Sequence, residues 1–239
     1  MADPRDLAQR VKRTLGVLDL RVAFQPVLDL ESGKIFAYEA LARSSDPGFS
    51  PPKLFSDAIT RGAVGELGRV IRRLALDGCP DHALFLNVHP REFDEGWIAM
   101  PEDPIFEHPL PVYLEITESV PMSFEDSSHA VLREIRSKGI RLAVDDLGAG
   151  YSNLKYIADL APEVVKLDRE LVLNLVNDNR VFRLVEAVTR LCVDLGAEVV
   201  AEGIESADEL RAVRRAGVHY GQGYFIARPA NPPPEVVAM

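Results

Sequence analysis

Six times in this chain a short apolar run ends on a residue that can hold a cation or move a proton. Ile35-Phe36-Ala37-Tyr38 leads to Glu39, Leu84-Phe85-Leu86 to Asn87, and Val112-Tyr113-Leu114 to Glu115. Leu142-Ala143-Val144 leads to Asp145-Asp146, Val164-Val165 to Lys166, and Val199-Val200-Ala201 to Glu202. Gathered at one place, these are five carboxylates, one amide and one amine. Ionised together, they leave four negative charges uncompensated, and such a cluster must take up protons or bind cations. An all-oxygen ligand set suits Mg²⁺ or Mn²⁺ better than Zn²⁺. The adjacent pair Asp145-Asp146 fits a bridged two-metal site of the kind that clamps the attacking and leaving oxygens of a phosphoester. Lys166 would orient water or offset developing charge, and Glu202 would accept a proton. Any one of these acids alone reads more simply as a salt-bridged or solvated strand end. The whole set would need an independent partner for every acid, and the neighbouring sequence does not supply them.

The elements that would gather these residues follow from the pattern between them. Short apolar runs rich in β-branched residues read as strands buried on both faces. Arg21–Leu30 and Lys34–Leu41 are strand-like and joined by Glu31-Ser32-Gly33, a hairpin signal that makes the first two strands antiparallel. Strand–helix alternation follows. A helix is predicted from Leu7 to Leu15. Helical faces are formed by Val64, Leu67, Val70, Ile71 and Leu74, and by Phe124, Val131, Leu132 and Ile135 before Gly139. Val181, Leu184, Val185, Val188, Leu191, Cys192 and Leu195 form the clearest stripe, and a last helix is predicted near Ala207–Arg215. Such alternation gives a parallel sheet, either an open doubly wound one or a barrel. Functional residues at many strand ends favour the barrel, because an open sheet concentrates its site at one switch point. The Asn231-Pro232-Pro233-Pro234 tail cannot join a sheet interior and is expected on the surface.

The 239 residues suit one (β/α)8-type domain, and no linker or repeat divides 1–239. The net charge of −10 argues against binding a nucleic acid polymer or an anionic membrane surface. Cys79 and Cys192 are far apart and outside any CxxC pattern, which reads as reduced core thiols and a reducing compartment. The N-terminus lacks the apolar segment of a signal peptide, and no stretch reaches membrane-span length. A cytoplasmic protein without membrane insertion is expected. Other motifs fall away. Gly148-Ala149-Gly150 begins like a dinucleotide loop but has Asn153 where the third glycine belongs, and the five histidines are scattered. The glycines after the aspartate pair suggest a mobile loop beside the metals, or a plain turn.

In order along the chain, these residues resemble a known family. Glu39-Ala40-Leu41-Ala42-Arg43 resembles the EAL motif of bacterial cyclic di-GMP phosphodiesterases. The resemblance runs from about Arg21 to Pro229, a core of about 21–229 within a single domain. It continues through Phe24-Gln25-Pro26, Asn87-Val88-His89-Pro90 and Leu114-Glu115-Ile116-Thr117-Glu118. Asp145-Asp146-Leu147-Gly148-Ala149-Gly150-Tyr151-Ser152, Val165-Lys166-Leu167-Asp168, Ala201-Glu202-Gly203-Ile204-Glu205 and Gln222-Gly223-Tyr224 complete it. It implies a modified TIM-type (β/α)8 barrel with an antiparallel first strand. The implied reaction is hydrolysis of cyclic di-GMP to linear pGpG with two Mg²⁺ or Mn²⁺ ions. By motif position, Glu39, Asn87, Glu115, Asp145, Asp146 and Glu202 would hold metal, with Glu202 alternatively the base. Lys166 and Gln222 would position the water, and Glu118 would brace the loop after Asp146. Gln25, Leu41 and Arg43 would contact the dinucleotide. The resemblance also implies a homodimer through that loop and the helix after it. Leu147, Ala149 and Asn153 depart from the commoner DFGTGYSS loop. A catalytically silent cyclic di-GMP receptor acting through a partner is the alternative, and the filled ligand set speaks against it.

Overall fold

The computed structural model describes residues 4–17, 19–46, 48–117, 126–149 and 154–235. Helix α1 (Pro4–Leu15) leads into β1 (Arg21–Asp29), and the chain then reverses into β2 (Ile35–Arg43). Asp29 Oδ1 makes the reversal by accepting from the backbone N–H groups of Glu31 and Ser32 at 3.0 and 2.8 Å. Gly33 closes the turn at φ 69°, a left-handed conformation that costs glycine nothing. The hairpin pairs Gln25 directly with Glu39.

Strands and helices then alternate. Helices α2 (Pro51–Thr60) and α3 (Val64–Gly78) precede β3 (Leu84–Asn87), α4 (Pro90–Asp94) precedes β4 (Val112–Thr117), and α5 (Asp126–Ser137) precedes β5 (Arg141–Leu147). Next come α6 (Leu154–Leu160), β6 (Val164–Leu167), α7 (Arg169–Leu173), α8 (Asn179–Asp194), β7 (Glu198–Ala201), α9 (Ala207–Arg215) and β8 (Tyr220–Gly221). The eight strands close in sequence order into a barrel. β1 is antiparallel to both neighbours, β2 and β8, and every other pairing is parallel. This is the modified (β/α)8 barrel with an antiparallel first strand.

β8 is only two residues long, so it covers only Leu28 and Asp29 of β1. The tail extends the seam. Phe24 N donates to Ala230 O at 2.8 Å and Ala230 N returns a bond to Phe24 O at 3.0 Å. Asn231 Nδ2 donates to Val22 O at 2.9 Å. The donors come from the residues just before the prolines, which lack an N–H of their own.

Two apolar shells fill the fold. The outer shell lies between the strands and the helices. The inner shell takes one residue from each strand: Val27, Ala37, Phe85, Tyr113, Ala143, Val164, Val200 and Tyr220. Phe85 stacks on Tyr113 at 4.6 Å between ring centroids, and Phe36 stacks on Tyr220 at 3.9 Å. Cys79 and Cys192 are both free and buried. Among the described residues, no helix is long and apolar enough to cross a membrane.

Four of the five expected helices appear as α1, α3, α8 and, over Ala207–Arg215, α9. The fifth, carrying Phe124, Val131, Leu132 and Ile135, is α5 from Asp126 onward, with Phe124 outside the described residues. The short helices α2, α4, α6 and α7 were not read from periodicity. Three of them carry local caps instead: Ser50 Oγ accepts from Lys53 N, His89 Nδ1 from Arg91 N, and Asp168 Oδ1 from Glu170 N.

One buried ionic network braces β3. Arg72 on α3 is 1% exposed and donates from Nη1 to Glu92 Oε2 at 2.7 Å and from Nη2 to Asp103 Oδ2 at 2.6 Å. Glu92 Oε1 in turn accepts from His89 N, which fixes α4 two residues after Asn87. Arg72→Met would leave buried Glu92 without its cation and buried Asp103 with only Arg69, 3.9 Å away, at a cost of about 3–5 kcal/mol. Urea unfolding should show that loss; a loss below about 1 kcal/mol would mean the network is not what holds this corner.

Candidate metal centre

Side chains on a strand alternate between its two faces. Each inner-shell residue therefore has a companion two positions along that faces the barrel interior one layer nearer the mouth. From Ala37, Phe85, Tyr113, Ala143, Val164, Val200 and Tyr220 these companions are Glu39, Asn87, Glu115, Asp145, Lys166, Glu202 and Gln222. β1 runs the opposite way, so Val27 is paired with Gln25, two positions earlier. The candidate site is thus the second inward layer of the barrel, built of polar residues on a floor of aromatic ones. Lys166 Nζ sits 6.0 Å from the Phe85 ring centroid.

The sequence pattern placed these residues at strand ends. The structure places several of them inside strands: β2 runs four residues past Glu39, and β4 continues to Thr117. Only Asn87 ends its strand, and Glu202 follows its own. The inward layer, not the strand terminus, is what gathers them.

Asp146 breaks the alternation, since a residue next to Asp145 should face the other way. The β5–β6 register shifts between Val144 and Leu147, and Asp146 takes φ 59°, a strained value for a residue with a Cβ. Oxygens of Asp145, Asp146 and Glu202 consequently lie within 4.8 Å of one another.

The Lys166 ammonium is the hub. It lies 2.6 Å from Glu115 Oε1, 2.6 Å from Glu202 Oε1, 3.1 Å from Asp145 Oδ1 and 3.4 Å from Glu39 Oε2. Around it, Asn87 Nδ2 donates to Glu115 Oε2 at 3.0 Å and to Glu39 Oε1 at 3.4 Å. Gln222 Nε2 donates to Glu39 Oε2 at 2.5 Å and to Gln25 Oε1 at 3.1 Å, and Gln25 Nε2 donates to Ala227 O.

One ammonium does not satisfy this many acids. Burial drives the Glu115 carboxyl well above its ordinary range, with Glu39 and Asp145 adding to the effect against the pull of Lys166. Burial also raises Glu202 to about 8, opposed by Lys166 and reinforced by Asp145 and Glu39. Asp146 rises to about 6 through burial and the adjacent Asp145. Burial alone would depress Lys166, but its four carboxylates outweigh that and hold it well above the usual amine range. Gln222 Oε1 is buried and lacks a hydrogen-bond partner, while Glu115 Oε1 and Asp145 Oδ1 are buried with only the shared Lys166 ammonium against them. Acceptors left in that state are costly unless a cation or water meets them. Crowded all-oxygen donors with unmet lone pairs fit hard divalent ions of the Mg²⁺ or Mn²⁺ class.

A cavity of about 310 Å³ opens above this layer, lined by Gln25, Glu39, Leu41, Asp145, Asp146, Glu202 and Gln222 among others. Cavities of about 300 and 390 Å³ elsewhere share none of these groups. Arg43 is not in the lining: its Nη1 donates to Ala42 O. Glu118 and residues 150–153 lie outside the described residues. The lining also holds Arg169, Glu205 and Tyr224, to which the sequence analysis gave no role in the site, although Glu205 and Tyr224 stand in stretches that carry the family resemblance. Each stands two or three residues beyond a site residue, Lys166, Glu202 or Gln222, and for Arg169 that closeness was the signal available.

The EAL domain family matches residues 8–229. Among curated relatives, the cyclic di-GMP phosphodiesterase PA2567 of Pseudomonas aeruginosa is 32% identical over 231 residues, covering 88% of this chain and 38% of that protein. The first curated relatives it matches are longer, and the chain spans 28–38% of their length. Among solved structures, BlrP1 of Klebsiella pneumoniae in a manganese and cyclic di-GMP complex superposes with TM-score 0.75 at 29% identity, covering 88% of this chain and 56% of that one. The PaMucR phosphodiesterase in complex with cyclic di-GMP gives TM-score 0.77 at 26% identity, covering 95% of this chain and 98% of that one. With its closed barrel and a family match over nearly its whole length, this chain belongs to the EAL domain family.

Proposed function

We propose that this chain is one EAL-type domain that hydrolyses cyclic di-GMP to linear pGpG with two Mg²⁺ or Mn²⁺ ions. The observation that carries the reading is the complete polar layer. Each of the eight strands, or at β7 and β8 the residue just after it, contributes a polar side chain to it, and the bulge at Asp146 adds a further carboxylate. Glu39, Asn87, Glu115, Asp145, Asp146 and Glu202 would hold the ions, which would supply Lewis acidity toward the phosphodiester and the attacking water. Lys166 and Gln222 fix the water's orientation, Lys166 as a donor beneath it and Gln222 through its unpartnered Oε1. Glu202 would either hold an ion or, as the alternative, take the water's proton. The water oxygen would bond to phosphorus as the P–O3′ bond breaks, and the 3′ oxygen would leave as a hydroxyl by taking a proton from solvent. Gln25 and Leu41 hold the dinucleotide at the cavity wall, and Arg43 would reach it by leaving Ala42 O. Glu118 is assigned to bracing the loop after Asp146.

The same reading places the protein in the cytoplasm and pairs it with a second copy through that loop and the following helix. Leu154, 44% exposed at the start of α6, is available for such a contact.

Chromatography of cyclic di-GMP incubated with the pure protein tests the reaction. Conversion to pGpG with Mg²⁺ or Mn²⁺, and none with EDTA, is expected. Binding without product would make the chain a receptor.

Asp146→Asn should lower turnover by at least about 100-fold while the fold persists. The sign of its stability effect follows from the raised value of about 6. A carboxyl raised on folding binds more protons in the folded state, so its contribution is favourable at low pH and is lost as pH rises through about 6. Without metal, Asp146→Asn should therefore melt above the wild type at pH 8, with the gap closing toward pH 5. Wild-type turnover, or a gap that widens toward low pH, would contradict the assignment.

A further inference from the structure

Gln222 can serve the attacking water only if its amide points the right way. Oε1 accepts a proton's bond from water, whereas Nε2 in the same place would donate instead. The backbone around it is fixed: Gln222 N donates to Ala201 O at 2.8 Å, and Gln222 O accepts from Ile204 N at 3.0 Å. The side chain is buried. A half-turn of the terminal amide nevertheless exchanges its two ends at little steric cost, because they are nearly the same size. Hydrogen bonding, not packing, must choose between them.

A chain of such bonds reaches Gln222 from the C-terminal tail. It starts at Ala227 O, a backbone carbonyl that can only accept. The turn that presents this carbonyl is closed by Ile226 N and Ala227 N, which both donate to Gly223 O at 3.1 Å. The turn is seated on the backbone after β7, since a Cβ at Gly223 would stand 2.1 Å from Ile204 O. Gln25, also buried, must turn Nε2 toward Ala227 O and does so at 3.1 Å. Its Oε1 is left facing Gln222, which must answer with Nε2, at 3.1 Å. Gln222 Nε2 donates to Glu39 Oε2 as well. A flipped Gln222 would set its oxygen against two acceptors, Gln25 Oε1 and Glu39 Oε2, and leave its donors unmet. The orientation the chain allows is the one that leaves Gln222 Oε1 buried and unpartnered. Glu39 is assigned as an ion ligand, and lone pairs given to an ion are withdrawn from Gln222. Gln25 Oε1 is the acceptor that stays.

We propose that Gln25 is a positioning residue that fixes the polarity of Gln222, so that Gln222 Oε1 faces the attacking water. The inference rests on the reading that this site hydrolyses a phosphodiester. Gln25 Nε2 carries a second N–H beyond the one given to Ala227 O, so the same side chain can still touch the dinucleotide. The two roles are separable: the contact acts on substrate directly, and the positioning acts only through Gln222.

A double-mutant cycle separates them. Gln25→Met keeps the volume and removes the relay. It should lower kcat by about tenfold on its own and by less than about twofold in the Gln222→Met background. Any rise in KM from a lost substrate contact should be the same in both backgrounds. A second readout needs no substrate. The chain has three glutamines, Gln9, Gln25 and Gln222, and Gln9 is exposed. In nuclear magnetic resonance of the isotope-labelled, metal-free wild type, the side-chain amide protons of Gln222 should exchange with solvent at least about tenfold more slowly than those of Gln9. Gln25→Met should speed exchange at Gln222 by at least about threefold. An equal loss of kcat in both backgrounds, or Gln222 protons that exchange as fast as those of Gln9, would overturn the inference alone. A wild type that converts no cyclic di-GMP would overturn the functional reading and the inference with it.

Discussion

Lys166 is the interaction on which the candidate site depends. Its ammonium, 1% exposed, stands within 3.4 Å of four carboxylates drawn from four different strands or strand ends. Burying one charge in a barrel interior is expensive, and burying several of one sign is prohibitive without a counterion. The ammonium makes the gathering of acids feasible but does not neutralise it. The shortfall appears as raised carboxyls at Glu115, Glu202 and Asp146 and as buried carboxylate oxygens that share a single ammonium. Protons or divalent ions must make up the difference, and the metal demand of the site follows from this imbalance.

The rest of the barrel serves this layer. The aromatic floor of Phe85, Tyr113, Phe36 and Tyr220 closes the interior below it and keeps the local dielectric low. Helix α7 links two of the acid-bearing loops. A Cβ at Gly148, just after Asp145-Asp146, would meet Leu171 Cδ1 at 2.5 Å, and one at Gly203, just after Glu202, would meet Arg169. Both glycines hold positive φ, so the chain passes tightly under one short helix at two places. On the other side, Arg72 and Glu92 fix the start of α4 and so the end of β3 that presents Asn87. The acids are held from outside the layer as well as by one another.

Much of this was legible in the sequence, for a simple physical reason. In a strand buried on both faces, a polar residue can be tolerated inward only where it meets other polar groups, so apolar runs that break to Glu39, Glu115, Lys166 and Glu202 announced a shared site. The strand-end reading of those breaks was too literal, because β2 and β4 run on beyond their acids. Gln25 escaped the pattern because β1 is antiparallel, which puts its polar residue before its inner apolar one, and it entered only through the family resemblance. Asp146 was legible as a ligand, but not the bulge and left-handed backbone that turn it inward. The contact between Arg169 and Glu205 was not legible, since it joins two strand–helix units 36 positions apart, although Glu205 itself stood in the family motif. Helices α4 and α7, with five residues each, are too short to show a helical period.

The central claim is that a buried, under-neutralised set of acids around Lys166 holds divalent ions and gives up protons to do so. Titration calorimetry of the metal-free chain with Mn²⁺ at pH 7, repeated in two buffers of different ionisation enthalpy, measures both quantities at once. About two ions per chain with release of about one proton or more is the expected result, because Glu202, raised to about 8, is protonated at that pH until a cation arrives. Absence of Mn²⁺ binding, or binding with no exchange of protons, would contradict it.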